Sequence, residues 1–185
     1  MKNLLYAFLF ILVTSILLSC SWKPKIILPP NWTYEKDAIS LNFTGDPDLN
    51  LYQKRAHSLF VCVYHLKDLN GFNQLTDEKD GLPKLLECGR FDPGVTYSRR
   101  LVVQPARKLN ETLDRTDGAK YVGVVAGYYN LQKENSVRSF PIPVTGERVK
   151  KTLVQKPAKM NLDLYFGPQE IVEVKQTKNE EKEKK

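Results

Sequence analysis

The sequence predicts a mainly β chain, folded as a two-sheet β-sandwich with a short helical insertion after the second strand. Seven or eight short segments have the alternating or wholly apolar pattern of strands. Turn chemistry separates them, at Gly45-Asp46-Pro47-Asp48, Pro93-Gly94 and Gly167-Pro168. A single stretch, residues 68–92, switches to helical spacing. Many short strands with turn signals between them and one helical insertion point to a β-sandwich, and no internal repeat is present.

The first strand is Ala38 to Thr44, where Ile39, Leu41 and Phe43 alternate with Ser40 and Asn42. After the turn at Gly45, the connection to His57 is too long for a tight hairpin and carries Leu49, Leu51 and Tyr52 as exposed apolar side chains. Ser58 to Lys67 is the second strand. Its Leu59, Val61 and Val63 face one way and Phe60, Cys62, Tyr64 and Leu66 the other, so both faces should be covered. In residues 68–92, Leu69, Phe72, Leu75, Leu82, Leu85 and Leu86 predict one or two short helices, capped near Asp77 or Asp80. Ser98 to Gln104 is a third strand. Arg107 to Asp117 is polar and predicts a connection, with a helical turn at Asn110 to Asp114. Tyr121 to Tyr129 predicts a central strand, and Val137 to Val144, broken by Pro141 and Pro143, an edge. Asn161 to Phe166 and Glu170 to Val174 make a closing hairpin. The charged segment Lys175 to Lys185 predicts a disordered tail.

The N-terminus is an address. Lys2 precedes a fifteen-residue apolar run, Leu4 to Leu18, and the run closes on Leu17-Leu18-Ser19-Cys20. A basic start, a short hydrophobic segment and small residues before the cut mark a secretory signal peptide. Cysteine at the first mature position makes it a lipobox. Cys20 would then carry diacylglycerol on its thiol and a further acyl chain on its amine, enough for stable anchoring at roughly 0.8 kcal/mol per buried methylene. The alternative, an uncleaved anchor helix, would need about 20 apolar residues. Ser21 stands where Asp would be the usual inner-membrane retention signal, so the resemblance to sorted lipoproteins favours the outer membrane. The expected organisation is a signal peptide at 1–19, a lipidated N-terminus and tether at 20–37, a sandwich domain at 38–174 and a tail at 175–185. Pro24, Pro29 and Pro30 suit the tether.

With Lys2 removed, the formal charge falls from +7 to +6. The basic pairs (Lys54-Arg55, Arg99-Arg100, Arg107-Lys108, Lys150-Lys151) are scattered and form no arginine stripe with interleaved aromatics, which argues against nucleic acid. Attraction to anionic head groups or to an acidic partner is the better use of the charge. Lipidation of Cys20 leaves Cys62 and Cys88 either to form a disulfide in an oxidising compartment or to be buried as free thiols. The chain has no CxxC, no Cys/His cluster and only two histidines, which argues against a metal site, and nothing points to a cofactor. No nucleophile elbow, zinc-protease helix or phosphate loop occurs. His57 and His65 are better read as structural or surface residues than as bases, and Asp77, Glu78 and Asp80 as a solvated helix face. Tyr128 and Tyr129 could stack a sugar, but neighbouring strand positions point opposite ways. The Asn-x-Thr triplets at Asn31, Asn42 and Asn110 are chance in a bacterial chain. What remains is a binding or scaffolding role, not enzymatic activity.

Three stretches resemble the type VI secretion outer-membrane lipoprotein family, TssJ (SciN, VasD). The first is the lipobox followed by Ile39-Ser-Leu-Asn-Phe43 and Leu49-Asn50. The second is Ser58 to Leu75, with its Tyr64-His-Leu-Lys67 strand end and Phe72 opening the helical insertion. The third is Tyr121-Val-Gly-Val-Val-Ala-Gly-Tyr-Tyr129. The family often carries a Trp-Arg pair where this chain has Val137-Arg138, and the charged tail is longer than the pattern requires. The resemblance implies a transthyretin-like sandwich that binds the periplasmic end of a TssM-like inner-membrane protein through the loop between the first two strands. That loop maps onto Gly45 to His57, with Leu49, Asn50, Leu51, Tyr52 and Gln53 as contacts and Lys54 and Arg55 as a charged rim. The alternative is an unrelated sandwich lipoprotein that binds carbohydrate or peptidoglycan.

Overall fold

The computed structural model describes residues 26–149 and 152–178. The chain runs through strands β1 (Ile26–Leu28), β2 (Glu35–Gly45) and β3 (Leu59–Leu66), then helices α1 (Asn70–Asp77) and α2 (Gly81–Leu85). Strands β4 (Val95–Val103), β5 (Lys108–Arg115) and β6 (Tyr121–Ala126) follow, and then a single helical turn, α3 (Lys133–Ser136). The last five strands are β7 (Val137–Pro141), β8 (Val144–Val149), β9 (Thr152–Pro157), β10 (Met160–Phe166) and β11 (Ile171–Lys178). Two four-stranded sheets, ordered β11-β10-β2-β5 and β4-β3-β6-β7, form the sandwich, and β1-β9-β8 forms a small third sheet. The signal peptide, Cys20, Lys150-Lys151 and residues 179–185 lie outside the described residues.

Period-2 burial builds the core. Ile39, Leu41 and Phe43 of β2 and Leu162, Leu164 and Phe166 of β10 pack in one cluster with Leu59, Val61, Val63, Val122 and Val124 of the facing sheet. The rings of Phe43 and Phe166 meet edge to face at 5.2 Å. The other face of β3 is covered too. Cys62, Tyr64 and Leu66 pack against Phe72, Leu75 and Leu85 of the helical insertion, so that only Phe60 of the strand is exposed. Gly123 gives Phe72 its room, since a Cβ there would lie 2.9 Å from the ring. The Tyr64 hydroxyl donates to the Leu85 carbonyl. A disulfide joins Cys62 to Cys88 with Cα atoms 5.3 Å apart, and Arg100 donates to the Leu86 carbonyl at 2.9 Å, closing the end of α2.

Several expectations are corrected. Arg107 to Asp117 is no connection with a helical turn. Residues Lys108–Arg115 form strand β5, paired antiparallel with β2. Only two of its four inward positions are apolar, because Glu111 and the buried Arg115 take the others; Arg115 meets Glu35 at 2.8 Å and donates to the Thr33 carbonyl at 3.0 Å. The tether is shorter than 20–37, since Ile26–Leu28 pairs in parallel with Thr152–Val154. Tyr34 also docks on the end of β5, its hydroxyl donating to Asp114 at 2.6 Å and its N–H to Asp117 at 3.0 Å. Strand β11 continues through Lys178, so Lys175 to Lys178 belong to the sheet and not to a tail. The β8–β9 hairpin was not expected at all. Neither Asp77 nor Asp80 caps a helix: Asp77 is the last residue of α1, and Asp80 at the start of α2 makes no side-chain cap. Helix α1 begins at Leu69 with no side-chain cap either, while Asp68 just before it accepts from the Asn70 N–H at 3.0 Å. His65 is wholly buried, its ring 4.7 Å from that of Tyr97. Burial pulls its pKa down to about 4.

Candidate functional site

The segment between β2 and β3 is built in two parts, a buried base and an exposed tip. At the base, Asp46 accepts from the Asp48 N–H at 2.7 Å and from the Tyr165 hydroxyl at 2.6 Å. These bonds favour the charged carboxylate and lower its pKa, while that of Tyr165 rises. The Asp46 N–H donates to the Phe166 carbonyl and the Leu51 N–H to that of Pro168, at 2.9 and 2.8 Å. The loop is therefore laced to the β10–β11 turn and cannot swing freely.

Leu49, expected to be exposed, is fully buried in the sandwich core. Its carbonyl accepts from the His57 N–H at 2.9 Å, so both ends of the tip meet at one residue whose side chain is in the core. Asn50 is also buried, at 5% exposure. Its Oδ1 accepts from the Tyr129 N–H at 2.9 Å, and its backbone is left-handed at φ 49°, which Asn tolerates. Both residues build the loop and present little to a partner. The physical reason is the turn at 46–49, where the Leu49 N–H donates to the Asp46 carbonyl and the chain folds back over the core.

The tip is a tight turn. Tyr52 and Arg55 exchange both backbone hydrogen bonds, at 2.9 and 3.0 Å, around Gln53 and Lys54 at φ 48° and 61°. Two successive positive φ values match a type I′ turn, whose usual residues are Asn-Gly. Gln and Lys there cost about 1–2 kcal/mol each. Strain of this kind persists only where surrounding structure over-determines it. Tyr52, Gln53, Lys54 and Arg55 are exposed, and Leu51 is half-buried.

Tyr52 lies flat on Tyr129, ring centroids 4.4 Å apart and planes 18° off parallel. The His57 ring abuts Tyr129 at 5.1 Å. Tyr52 and Tyr129 remain 46% and 56% exposed, so the pair is rigid yet available. Tyr128 and Tyr129 point opposite ways, with Tyr128 buried. Tyr129 is the residue that sequence reasoning missed as a contact. It follows β6 and reaches the loop because β6 pairs with β3, and no local pattern encodes that meeting. Beside the stack, Asn50, Tyr128, Asn130, Pro168 and Gln169 line a cleft of about 210 Å³. Ligand cavities usually exceed about 300 Å³, so this end of the molecule offers a rigid protrusion more than a small-molecule pocket. No group of three His, Cys, Asp or Glu side chains converges as a metal site among the described residues.

Residues 37–165 match the model of the family described as "Type VI secretion lipoprotein, VasD, EvfM, TssJ". No curated protein matches the chain. Among solved structures the chain is similar to the type VI lipoprotein TssJ1 from Pseudomonas aeruginosa. The identity is 18%, the TM-score 0.54, and 82% of this chain and 98% of that one are covered. It is similar to Serratia marcescens Lip, a membrane-bound component of the type VI secretion system, at 18% identity and TM-score 0.51 over 75% and 96% of the two chains. It is also similar to the C-terminal domain of the type VI protein TssM from EAEC, at 14% identity and TM-score 0.54 over 72% and 94% of the two chains. At these identities the likeness to solved structures establishes the sandwich fold.

Proposed function

Because the chain belongs to the type VI secretion lipoprotein family, not a known enzyme family, we propose that it links the outer membrane to the inner-membrane part of that secretion complex. In this reading residues 1–19 are removed, Cys20 is acylated, and the domain stands on the periplasmic face of the outer membrane. The segment 45–57 binds the periplasmic domain of a TssM-like protein. The observation that carries the proposal is the exposed Tyr52–Tyr129 stack beside a strained, basic turn, held rigid by bonds to β10 and the turn that follows it.

A rigid, half-exposed aromatic pair supplies contact area with little side-chain entropy left to lose, as anchors at protein interfaces do. Lys54 and Arg55 at the rim steer an acidic partner. The contact set is Leu51, Tyr52, Gln53, Lys54, Arg55 and Tyr129, with Leu49 and Asn50 holding them in place. The test is co-purification of the lipoprotein with the periplasmic region of its cognate TssM. A Leu51→Ala/Tyr52→Ala double variant should lose capture while keeping wild-type thermal stability. Normal capture by that variant would remove the loop from the interface.

A further inference from the structure

The small β1-β9-β8 sheet has no place in the sandwich core, and its position follows from the strand registers. Strand β2 begins at Glu35, opposite Arg115 of β5, and ends at Gly45, opposite Phe166 of β10. The 45–57 loop therefore sits at the Gly45 end. Strand β9 leads through Ala158 into β10 at the other end, where the Ala158 N–H donates to the Pro143 carbonyl at 2.8 Å. The β8–β9 hairpin thus projects from the end of the sandwich opposite the loop. Strand β1 runs beside it, with Ile26 level with Thr152 at the outer margin of the hairpin.

The residues at that margin are unusual for a solvated ribbon. Ile26, Ile27 and Leu28 are 61%, 56% and 48% exposed, and Val149 is 49% exposed. Consecutive strand residues point to opposite faces, so both faces of the ribbon carry bare aliphatic side chains. Among the described residues the outermost row is Ile26, Thr152 and Val149, none of them charged. Glu147 lies two positions further back on β8 and is neutralised by Lys156 at 2.9 Å. In sequence, residues 144–157 hold Arg148, Lys150, Lys151 and Lys156 against Glu147 alone, and Trp22, Lys23 and Lys25 separate the ribbon from Cys20. Aliphatic and aromatic groups flanked by lysines are the composition of a membrane interface, where rings sit at head-group level and lysines reach anionic phosphates.

We propose that the β1-β9-β8 ribbon is a membrane-seating element that rests in the head-group layer of the leaflet holding the lipidated Cys20. The inference rests on the anchor reading above and deepens it. The occupant follows from chain length and charge. Six Cα steps separate Cys20 from Ile26, a reach of at most about 20 Å, so acylation holds the ribbon against the surface. The excess of lysine suits anionic lipid. The outer edges of β1 and β8 have no strand partner among the described residues. In the head-group layer their backbone groups stay wet, whereas burial in hydrocarbon would leave them unpaired. Seating fixes the orientation of the domain and points the 45–57 loop away from the membrane.

The test uses the full lipoprotein reconstituted in phosphatidylethanolamine/phosphatidylglycerol vesicles. An environment-sensitive fluorophore is placed at Val149→Cys or, as a reference, at Gln53→Cys. Lipids carrying a quencher near the head group should reduce emission at Val149 by about half or more and leave Gln53 unchanged. Ile26→Ser/Ile27→Ser should restore the Val149 signal with Cys20 still acylated, as read by mass of the N-terminal peptide. Acylated protein whose Val149 label is unquenched overturns the seating element and leaves the anchor standing. Energy transfer between labelled copies in place of lipid quenching would overturn it in favour of self-association. An unacylated Cys20 would overturn both readings.

Discussion

The two ends of the sandwich solve opposite problems with the same strands. The loop end is tightly bonded and strained. Its tip turn keeps Gln53 and Lys54 at positive φ, its base is fixed by Leu49 in the core, and its aromatic face by the Tyr52–Tyr129 stack. The N-terminal end is built from strand additions that bury little, a three-residue β1 and a hairpin with bare aliphatic groups. Rigidity at one end suits the proposed contact with a shaped partner, and uncovered apolar surface at the other suits the proposed contact with a fluid one. A protein partner rewards preorganisation, whereas a lipid surface adapts to whatever it covers.

The largest effect expected from breaking this division is at Cys20. A Cys20→Ala variant should leave the membrane fraction for the soluble periplasmic fraction and abolish secretion, with the melting temperature of the domain unchanged. Unaltered fractionation would remove the acyl chain from the account.

Two neighbours in the loop separate building from binding. Leu49→Ala should cost about 2–5 kcal/mol of stability in a denaturant titration, because a core cavity opens under the loop. Tyr52→Ala should change stability by less than about 1 kcal/mol and weaken partner binding about tenfold or more. The reverse ranking would mean that the tip, not the base, carries the packing.

Acid should act on the fold through the buried His65. The folded imidazole stays neutral down to about pH 4, while the unfolded one takes up a proton near 6.5. The unfolded state therefore binds more protons between these values. Stability is complete above about pH 6.5 and falls by up to about 3 kcal/mol as pH drops to 4. Unfolding followed across that range should show the slope, and His65→Phe, stacked on Tyr97, should flatten it. An identical slope in the variant would assign the acid response elsewhere.

The smallest effect is expected at the tip turn. Replacing Gln53-Lys54 by Asn-Gly should stabilise the protein by about 1–2 kcal/mol, since those residues accept positive φ. A loss of stability in thermal unfolding would mean that the side chains of Gln53 and Lys54 contribute more than their backbone strain costs.

The legible parts of the chain were those whose signal is local. Alternation marked β2 and β10, unbroken apolar runs marked β3 and β6, and Phe72, Leu75 and Leu85 marked the helical insertion, because burial on one face or on both imprints its pattern on the sequence. Strand β5 was hidden because Arg115 occupies a core-facing position and pairs with Glu35 and the Thr33 carbonyl, partners about 80 residues away in sequence. Strands β1, β8 and β9 were hidden because they bury little, so no apolar period is required of them. At the site, the position of the loop between two strong strands was visible, but its division into base and tip was not. Leu49 and Tyr52 look equally apolar in sequence, and the turn that buries one and exposes the other depends on carbonyls from β10 and its following turn.

The central claim is that one end of the molecule is seated on a membrane while the other end binds. It is tested most directly by measuring the affinity of the TssM periplasmic region for the lipoprotein already reconstituted in vesicles. The account predicts the same affinity on vesicles as in detergent, and a loss of about tenfold or more with Tyr52→Ala in both settings. Binding that is blocked by the membrane, or that survives Tyr52→Ala unchanged, would contradict it.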